Sequence, residues 1–126
     1  MKKLFLMLSV SVLAATSFAA TSFADGDADK GEKVFKKCKA CHSVDQGGKH
    51  RVGPNLFNVF GAKAGHKDDY KYSPAMADSG LTWDEATLDA YLKSPKNVIK
   101  GTKMTFAGLK KDKQRANVIA YLKTLQ

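Results

Sequence analysis

The chain has 126 residues, a net charge of +9 and two cysteines, Cys38 and Cys41. This length suits one small domain with a thin apolar core, and the sequence contains no repeats or low-complexity runs that would indicate another architecture. A disulfide between the two cysteines would close a very short loop and add little to the stability of the domain, because the stabilisation by a disulfide grows with the length of the loop that it closes. A buried cofactor would stabilise such a domain far more.

The N-terminal segment predicts a secretory signal peptide. Lys2 and Lys3 precede the apolar run LFLMLSVSVLAA, and the small-residue stretch TSFAATSFA follows it, which is the order of an export signal. We expect cleavage after Ala24, with a cut after Ala19 as the alternative because TSFA occurs twice. The apolar run is too short for a permanent transmembrane helix, although a short membrane anchor stays open as a second interpretation. The mature domain would then be residues 25–126, with a net charge of +7 after the loss of the two lysines, in the oxidising periplasm.

The first predicted element of this domain is an amphipathic helix over residues 27–40. Four residues share one face at the spacing of a helix: Gly31, Val34, Phe35 and Cys38. Acidic residues lie near its start, where the helix dipole favours them. Residues 45–72 are rich in glycine and charge and have no sustained period. They predict long loops of the kind that wrap around something.

Two helices are predicted next. A serine followed by a proline at 73–74 can cap a very short helix that ends near Gly80. Thr82 and Glu85 form a capping-box pattern that opens a helix, and this helix must end before Pro95. Its inner face would consist of three apolar residues: Leu88, Tyr91 and Leu92.

The chain is predicted to end in helix as well. Residues 94–101 read as a short helical turn that begins at a Ser-Pro pair and closes at a glycine. A last helix covers about residues 111–125 and carries an apolar face: Val118, Ile119, Leu122 and Leu125. No stretch alternates convincingly with a period of two, so the sequence predicts an all-α fold. The first and last helices have the longest apolar faces and are expected to pack on one another.

The pattern C-x-x-C-H, formed by Cys38, Cys41 and His42, is compatible with three chemistries. A structural zinc site needs four Cys or His ligands, but only His50 and His66 remain, and adjacent Cys and His rarely bind one metal together. A redox dithiol normally lies at the strand-to-helix turn of a βαβ unit, whereas this pair follows a helix. The third chemistry is covalent haem attachment, in which two thioethers reach the porphyrin and the histidine lies beneath the iron. Haem is favoured, and the other two interpretations stay open.

The interpretation as a haem site requires a candidate for the second axial ligand of the iron. Met104 lies in the segment IKGTKMTFAGLKK, which has glycines on both sides and no long helix, so it could arch over a haem face. Met76 lies in the predicted short helix and is interpreted as a packing residue. His50 and His66 lie among lysines and glycines and are interpreted as solvated loop residues.

With these residues in place, the chain resembles class I cytochrome c, of the short soluble bacterial type closest to the mitochondrial protein. The resemblance covers nearly all of residues 26–126, and its motifs run in family order: GDADKGEKVF, CKACH, GPNL, LTWDEATLDAYL, KGTKMTFAGLKK and VIAYLKTL. It implies the all-α cytochrome c fold, with the N- and C-terminal helices packed together and loops around one covalently bound haem c.

The resemblance also implies a set of haem contacts. Cys38 and Cys41 would carry the thioethers, His42 would be the proximal ligand to iron, and Met104 the distal one. Pro54, in GPNL, would accept a hydrogen bond from Nδ1 of the histidine through its carbonyl and so fix the tautomer.

Four further residues of the haem pocket are implied. Trp83 and Tyr72 would hydrogen-bond one haem propionate, Thr102 would lie near the other, and Tyr91 would approach the sulfur of Met104. For the three aromatic residues, ordinary packing in the core is the alternative. The resemblance further implies that four residues meet where the first and last helices cross: Gly31, Phe35, Val118 and Tyr121.

Two positions depart from the mitochondrial-like pattern. Ala62 stands where that pattern has an arginine that helps to shield a propionate, and Met76 stands where it has an asparagine of an internal water network. We therefore expect a more exposed or differently paired propionate and a drier inner pocket.

An iron held by imidazole and thioether has no open coordination site, which favours electron transfer over catalysis. The expected function is a soluble periplasmic carrier of one electron, not an enzyme, and thioether ligation would give it a fairly high potential. A peroxidase-like or gas-sensing haem protein is the main alternative, and a disulfide exchanger or metal module is the third.

Basic residues flank both haem-contacting segments and predict the partners. Ten of them would form a positive ring around the exposed haem edge: Lys36, Lys37, Lys39, Lys49, Arg51, Lys96, Lys100, Lys103, Lys110 and Lys111. Such a ring steers a partner with an acidic docking face. The resemblance suggests a cytochrome bc complex as donor and a terminal oxidase or photosynthetic reaction centre as acceptor. We expect a monomer with only peripheral membrane contact and no nucleic-acid partner, because an exported protein meets little nucleic acid.

Overall fold

The computed structural model describes residues 25–126, together with the single positions 15 and 17. Most of the predicted signal peptide, with both candidate cleavage sites, lies outside the described residues. Within them the chain forms five helices and no named strand: α1 (Ala28–Phe35), α2 (Pro74–Ala77), α3 (Glu85–Lys93), α4 (Pro95–Val98) and α5 (Asp112–Lys123). The prediction of an all-α fold is confirmed. In this part of the chain, no helix is long and apolar enough to cross a membrane.

Helix α1 is shorter than the predicted segment 27–40. It begins after Asp27, whose side chain accepts a hydrogen bond from the backbone N–H of Lys30, and it ends at Phe35. Beyond that residue the chain continues as tight turns, with the N–H of Cys38 bonded to the carbonyl of Phe35 at 2.8 Å. The prediction of helix through residue 40 was therefore wrong, because bonds between residues three apart interrupt the α-helical pattern there. Over residues 36–40, only the N–H of Lys39 still bonds four residues back, to the carbonyl of Phe35. This tightening carries the two cysteines out of the helix.

The predicted short helix α2 is confirmed at its start, where the Ser73 side chain accepts a hydrogen bond from the N–H of Met76 at 3.1 Å. The prediction of a capping box at Thr82 was wrong. The N-cap of α3 is Asp84, which accepts from the N–H of Thr87 at 2.8 Å. Thr82 instead forms an isolated antiparallel bridge with Lys63. Because this bridge holds Thr82 in extended backbone beside the loop at 61–64, the helix can begin only beyond Thr82.

Helices α1 and α5 pack closely on one another, as predicted. A Cβ atom placed on Gly31 would lie 1.9 Å from the carbonyl oxygen of Asn117 and 2.8 Å from Cβ of Tyr121, so only glycine fits this crossing. The rings of Phe35 and Tyr121 lie 5.3 Å apart, and Phe35 and Val118 are 1% and 2% exposed. The crossing closes one end of the core, and the other helices and the loops at 43–72 and 99–111 surround the space beside it.

Replacing Gly31 with alanine should lower the free energy of unfolding by about 1–3 kcal/mol, the usual cost of overpacking. Alanine favours helix over glycine by about 1 kcal/mol. Helix propensity alone would therefore raise the stability, and any loss of stability must come from the steric clash. Denaturant unfolding followed by far-UV circular dichroism measures it. The exposed neighbour Glu32 is the control, since Glu32→Ala should stay within about 0.5 kcal/mol of the wild type. A Gly31→Ala variant as stable as the wild type would contradict this account of the crossing.

Candidate functional site

A cavity of about 300 Å³ lies between the loops and helices α3 and α5. It is lined by every residue predicted for the site except Thr102: Cys38, Cys41, His42, Pro54, Tyr72, Trp83, Tyr91 and Met104. Apolar side chains fill the wall between them: Leu56, Val59, Leu88, Leu92, Phe106 and Leu122. The cavity is thus an apolar space with imidazole, thioether and two thiol groups on its walls.

His42 is held in one orientation. Its Nδ1 lies 2.7 Å from the carbonyl oxygen of Pro54, and a carbonyl can only accept, so Nδ1 carries the proton and donates. Burial lowers the pKa of His42, and the hydrogen bond to Pro54 opposes this effect. A Cβ on Gly53 would lie 2.4 Å from Cε1 of the ring, so this residue lets the backbone pass against it. The neutral ring is left with Nε2 free to bind a metal.

Asn55 supports this wall from behind and was not singled out in the sequence, although it lies within the motif GPNL. It is 3% exposed. Its Nδ2 donates to Oγ of Ser43 and to the carbonyl of Asp45, both at 2.9 Å, and its Oδ1 accepts from the N–H of Phe57 at 2.8 Å. These bonds tie together the two ends of the loop that carries Pro54. The pattern alone could not reveal them, because they join residues on both sides of a loop with no period.

His50 contributes to the same loop. Its Nδ1 accepts from the N–H of Asn55 at 2.9 Å, and Nε2 lies 2.8 Å from Oδ1 of Asp69. The interpretation of His50 as a solvated loop residue was wrong, since its side chain is only 18% exposed and is bonded at both nitrogens. It does not line the cavity, whereas His66 does, at an exposed position.

Met104 also lines the cavity, and it belongs to a closed set of hydrogen bonds. The hydroxyl of Tyr91 donates to Sδ of Met104 at 3.4 Å and lies 3.0 Å from Oγ1 of Thr102. The N–H of Met104 donates to the same Oγ1 at 3.3 Å. Because the single proton of the phenol points to sulfur, the threonine hydroxyl must donate to the phenol. Thr102, predicted to lie near a propionate, thus lies behind Tyr91 and orients it.

Two groups offer hydrogen bonds into the cavity. The hydroxyl of Tyr72 accepts from the N–H of Lys67 at 3.3 Å, which leaves its own proton free. Trp83 is 6% exposed, and its indole N–H makes no hydrogen bond to another described residue. No fully enclosed side-chain N or O atom in this part of the chain lacks a partner, so that N–H opens onto the cavity that its ring lines. Both can donate to an acidic group of a bound molecule.

Cys38 does not have the lowered pKa of a reactive thiol. Burial raises the pKa of Cys38, the neighbouring Cys41 raises it further, and Lys37 opposes both. Reactive and metal-binding thiols need a lowered pKa. Over residues 25–126, no three His, Cys, Asp or Glu side chains come together as a metal site. The thiols are instead half-buried at the cavity wall, beside His42.

These residues fit a haem c. Two thiols, an imidazole with a free Nε2 and the thioether of Met104 line the same apolar cavity, and two hydrogen-bond donors face it where carboxylates would need partners. The apolar wall suits a porphyrin.

The basic residues predicted to surround the haem edge are exposed. All ten residues of the predicted positive ring have exposed side chains, and Lys37 and Lys103 line the cavity. Within residues 25–126, none of the ten lies within 4.0 Å of a carboxylate, whereas Lys30 and Lys123 pair with Asp27 and Glu85 at 3.5 and 2.7 Å. No carboxylate of residues 25–126 therefore pairs with any of the ten charges.

Comparison with known proteins gives one consistent result. The sequence model of the family described as Cytochrome c matches residues 28–126. Cytochrome c2 of Rhodomicrobium vannielii is 56% identical over 111 residues, which cover 88% of this chain and 89% of that protein. Cytochrome c2 of Rhodospirillum rubrum is 53% identical over 138 aligned residues, with both chains covered completely. The structure of cytochrome cH from Methylobacterium extorquens has a TM-score of 0.75 and 51% identity, and the match covers 79% of this chain and 99% of that one.

Replacing Asn55 with alanine should destabilise the domain by about 1–3 kcal/mol, because the N–H of Phe57 would lose its acceptor and the bonds to Ser43 and Asp45 would be lost with it. Denaturant unfolding measures this loss. The nearby Lys49 is exposed, so Lys49→Ala serves as the control and should be close to neutral. Equal stability of the two variants would show that Asn55 does not support the loop.

Proposed function

Since the chain belongs to the cytochrome c family, we propose that it is a soluble periplasmic carrier of single electrons whose haem c is bound between His42 and Met104. One observation carries the ligand assignment. The two side chains lie on walls of the same apolar cavity, and each is oriented by its own hydrogen bond, from Nδ1 of His42 to Pro54 and from Tyr91 to Sδ of Met104.

The haem c of this family supplies a one-electron couple between Fe(II) and Fe(III) when bound. Cys38 and Cys41 would hold it covalently, and Tyr72 and Trp83 would donate to its carboxylates. The hydrogen bond from Tyr91 withdraws electron density from the sulfur of Met104, and thioether ligation favours the reduced iron. The apolar wall excludes water and disfavours the extra charge of the oxidised state. Together these residues favour a fairly high reduction potential.

The same arrangement argues against catalysis on small molecules. With both His42 and Met104 bound, a peroxide or gas would have to displace one of them. Met104 is held by two hydrogen bonds, to Tyr91 and Thr102, and these two residues bond to each other. The family consists of electron carriers, and we propose that this chain is not an enzyme. A peroxidase-like function would require an open or labile sixth position on the iron.

The exposed basic ring supports docking to acidic faces of membrane redox complexes. Long-range attraction between such surfaces raises the association rate and makes it fall with salt. The donor would be a cytochrome bc complex, and the acceptor a terminal oxidase or a photosynthetic reaction centre. Export by the predicted signal peptide, with residues 25–126 as the mature monomeric domain, would bring the carrier to these partners.

Replacing Met104 with alanine in the haem-loaded protein should abolish the weak red charge-transfer band from sulfur to Fe(III). It should also lower the reduction potential and open the sixth site to peroxide. Absorption spectroscopy and potentiometry of the oxidised protein measure both effects. Met76 lines the same cavity, so Met76→Ala is the matched control and should keep the band. Loss of the band in Met76→Ala, with its retention in Met104→Ala, would transfer the ligand role to Met76.

Introducing arginine at Ala62 should raise the reduction potential or change its dependence on pH. Ala62 accepts the backbone N–H of Trp83 at 2.8 Å, so the new charge would stand beside a proposed carboxylate donor. A charge interaction of about 1 kcal/mol corresponds to about 40 mV. Thr124→Arg, at an exposed position after α5, adds the same charge elsewhere and should have a much smaller effect. A reduction potential of Ala62→Arg equal to that of the wild type from pH 5 to 9 would contradict this prediction.

A further inference from the structure

Arg115, on α5, is a buried charged residue that no step of electron transfer requires. Its side chain is 3% exposed. Nη1 donates to the carbonyl oxygens of Leu109 and Lys110, at 2.9 and 3.2 Å. Nε donates to Asp89 on α3 at 2.7 Å, and Nη2 donates to Asp112 at 2.5 Å. One guanidinium therefore joins α3, the start of α5 and the segment that leads from Met104 into α5.

That segment is also fixed to the end of α3. The N–H of Leu109 donates to the carbonyl of Leu92 at 2.7 Å, and Nζ of Lys110 donates to the carbonyl of Lys93 at 2.9 Å. Leu109 itself is 3% exposed. The chain that follows Met104 is thus held between α3 and α5, and Arg115 supplies the bonds from the α5 side.

Between its anchors, the segment around Met104 has few bonds of its own. Its first anchor is Thr102, which bonds to Tyr91 and to the carbonyl of Ile99. The backbone N–H groups of residues 105–107 make no hydrogen bond to the rest of the described chain. The position of the Met104 sulfur therefore depends on where the two anchors are held relative to α3.

Joining helices through a buried charge is energetically unfavourable at first, because removing a guanidinium from water costs several kcal/mol before any hydrogen bond is formed. Apolar packing would stabilise the same contact at least as well. Only a fork of several donors can hold two adjacent carbonyls and two carboxylates at once, which is the particular property of arginine. Its use here indicates that the geometry of the segment matters, and not only the stability of the domain.

We propose that Arg115 is a positioning residue that keeps Met104 at the iron by fixing the downstream end of its segment to α3 and α5. This inference rests on the proposed role of Met104 as a ligand. Weakening the anchor should let the sulfur leave the iron more often while the helices stay folded, and an added ligand could then take its place.

The test compares Arg115→Lys with the wild type in the haem-loaded, oxidised protein. Lysine keeps the charge but cannot donate to both carbonyls and both carboxylates. Two measurements are made: the affinity for added imidazole, and the guanidinium chloride concentrations at which the red sulfur–iron band and the far-UV helix signal are lost. Gly31→Ala is the control, since it destabilises the domain at the α1–α5 crossing, away from the Met104 segment.

We expect Arg115→Lys to bind imidazole about tenfold more tightly or more, as the loss of one hydrogen bond to a charged group implies. The red band should disappear at a lower denaturant concentration than the helix signal. In Gly31→Ala both signals should shift together. If Arg115→Lys behaves like Gly31→Ala, the inference is overturned while the ligand assignment stands. A wild-type protein without the red band overturns the ligand assignment and the inference with it.

Discussion

The hydrogen bond from Nδ1 of His42 to the carbonyl of Pro54 is the contact on which the geometry of the cavity depends. At 2.7 Å, in a half-buried setting, it fixes both the tautomer and the direction of the ring. Without it, Nε2 would not have a defined direction into the cavity, and the neutral ring could exchange its two nitrogens. The loop that presents Pro54 is in turn held by Asn55 and His50, which together bond residues from Ser43 to Asp69. The orientation of one proposed ligand, His42, thus depends on a network that extends across nearly thirty residues of irregular chain.

The distal wall is built differently. Met104 lies in an irregular segment with few backbone bonds, and three residues around it restrain its position: Tyr91 at the cavity wall, Thr102 bonded to Tyr91, and Arg115 on α5 through the downstream end of the segment. Helix α3 takes part in both contacts. A thioether held in this way is restrained more weakly than the imidazole, whose loop is bonded at many points. In the proposed coordination, His42 would therefore be the more rigidly held ligand and Met104 the one more easily released, and Arg115, which does not line the cavity, would help to set the cost of that release.

Much of this arrangement could be predicted from the sequence, because the cytochrome c motifs are specific and appear in order. The packing of α1 on α5 followed from the apolar faces, and the cavity residues followed from the resemblance. The errors have local physical causes. Periodicity placed Cys38 on a helix, but tight turns replace the helix after Phe35. The pattern at Thr82 suited a cap, but its bridge to Lys63 moved the cap to Asp84. The contacts of Asn55 could not be predicted, since they join irregular segments that carry no period. Those of Arg115 could not be predicted either, since they depend on how α3, α5 and the segment before α5 come together in the fold.

The most direct test of the account is a crystal structure of the oxidised, haem-loaded protein, in which the ligands of the iron are seen. The account predicts Nε2 of His42 on one face and Sδ of Met104 on the other, with Nδ1 of His42 still bonded to Pro54. The thioethers should come from the two cysteines of the C-x-x-C-H motif. An iron bound by Met76 or His66 in place of Met104, or with water at the sixth position, would contradict the central claim that this chain closes the coordination shell and carries electrons.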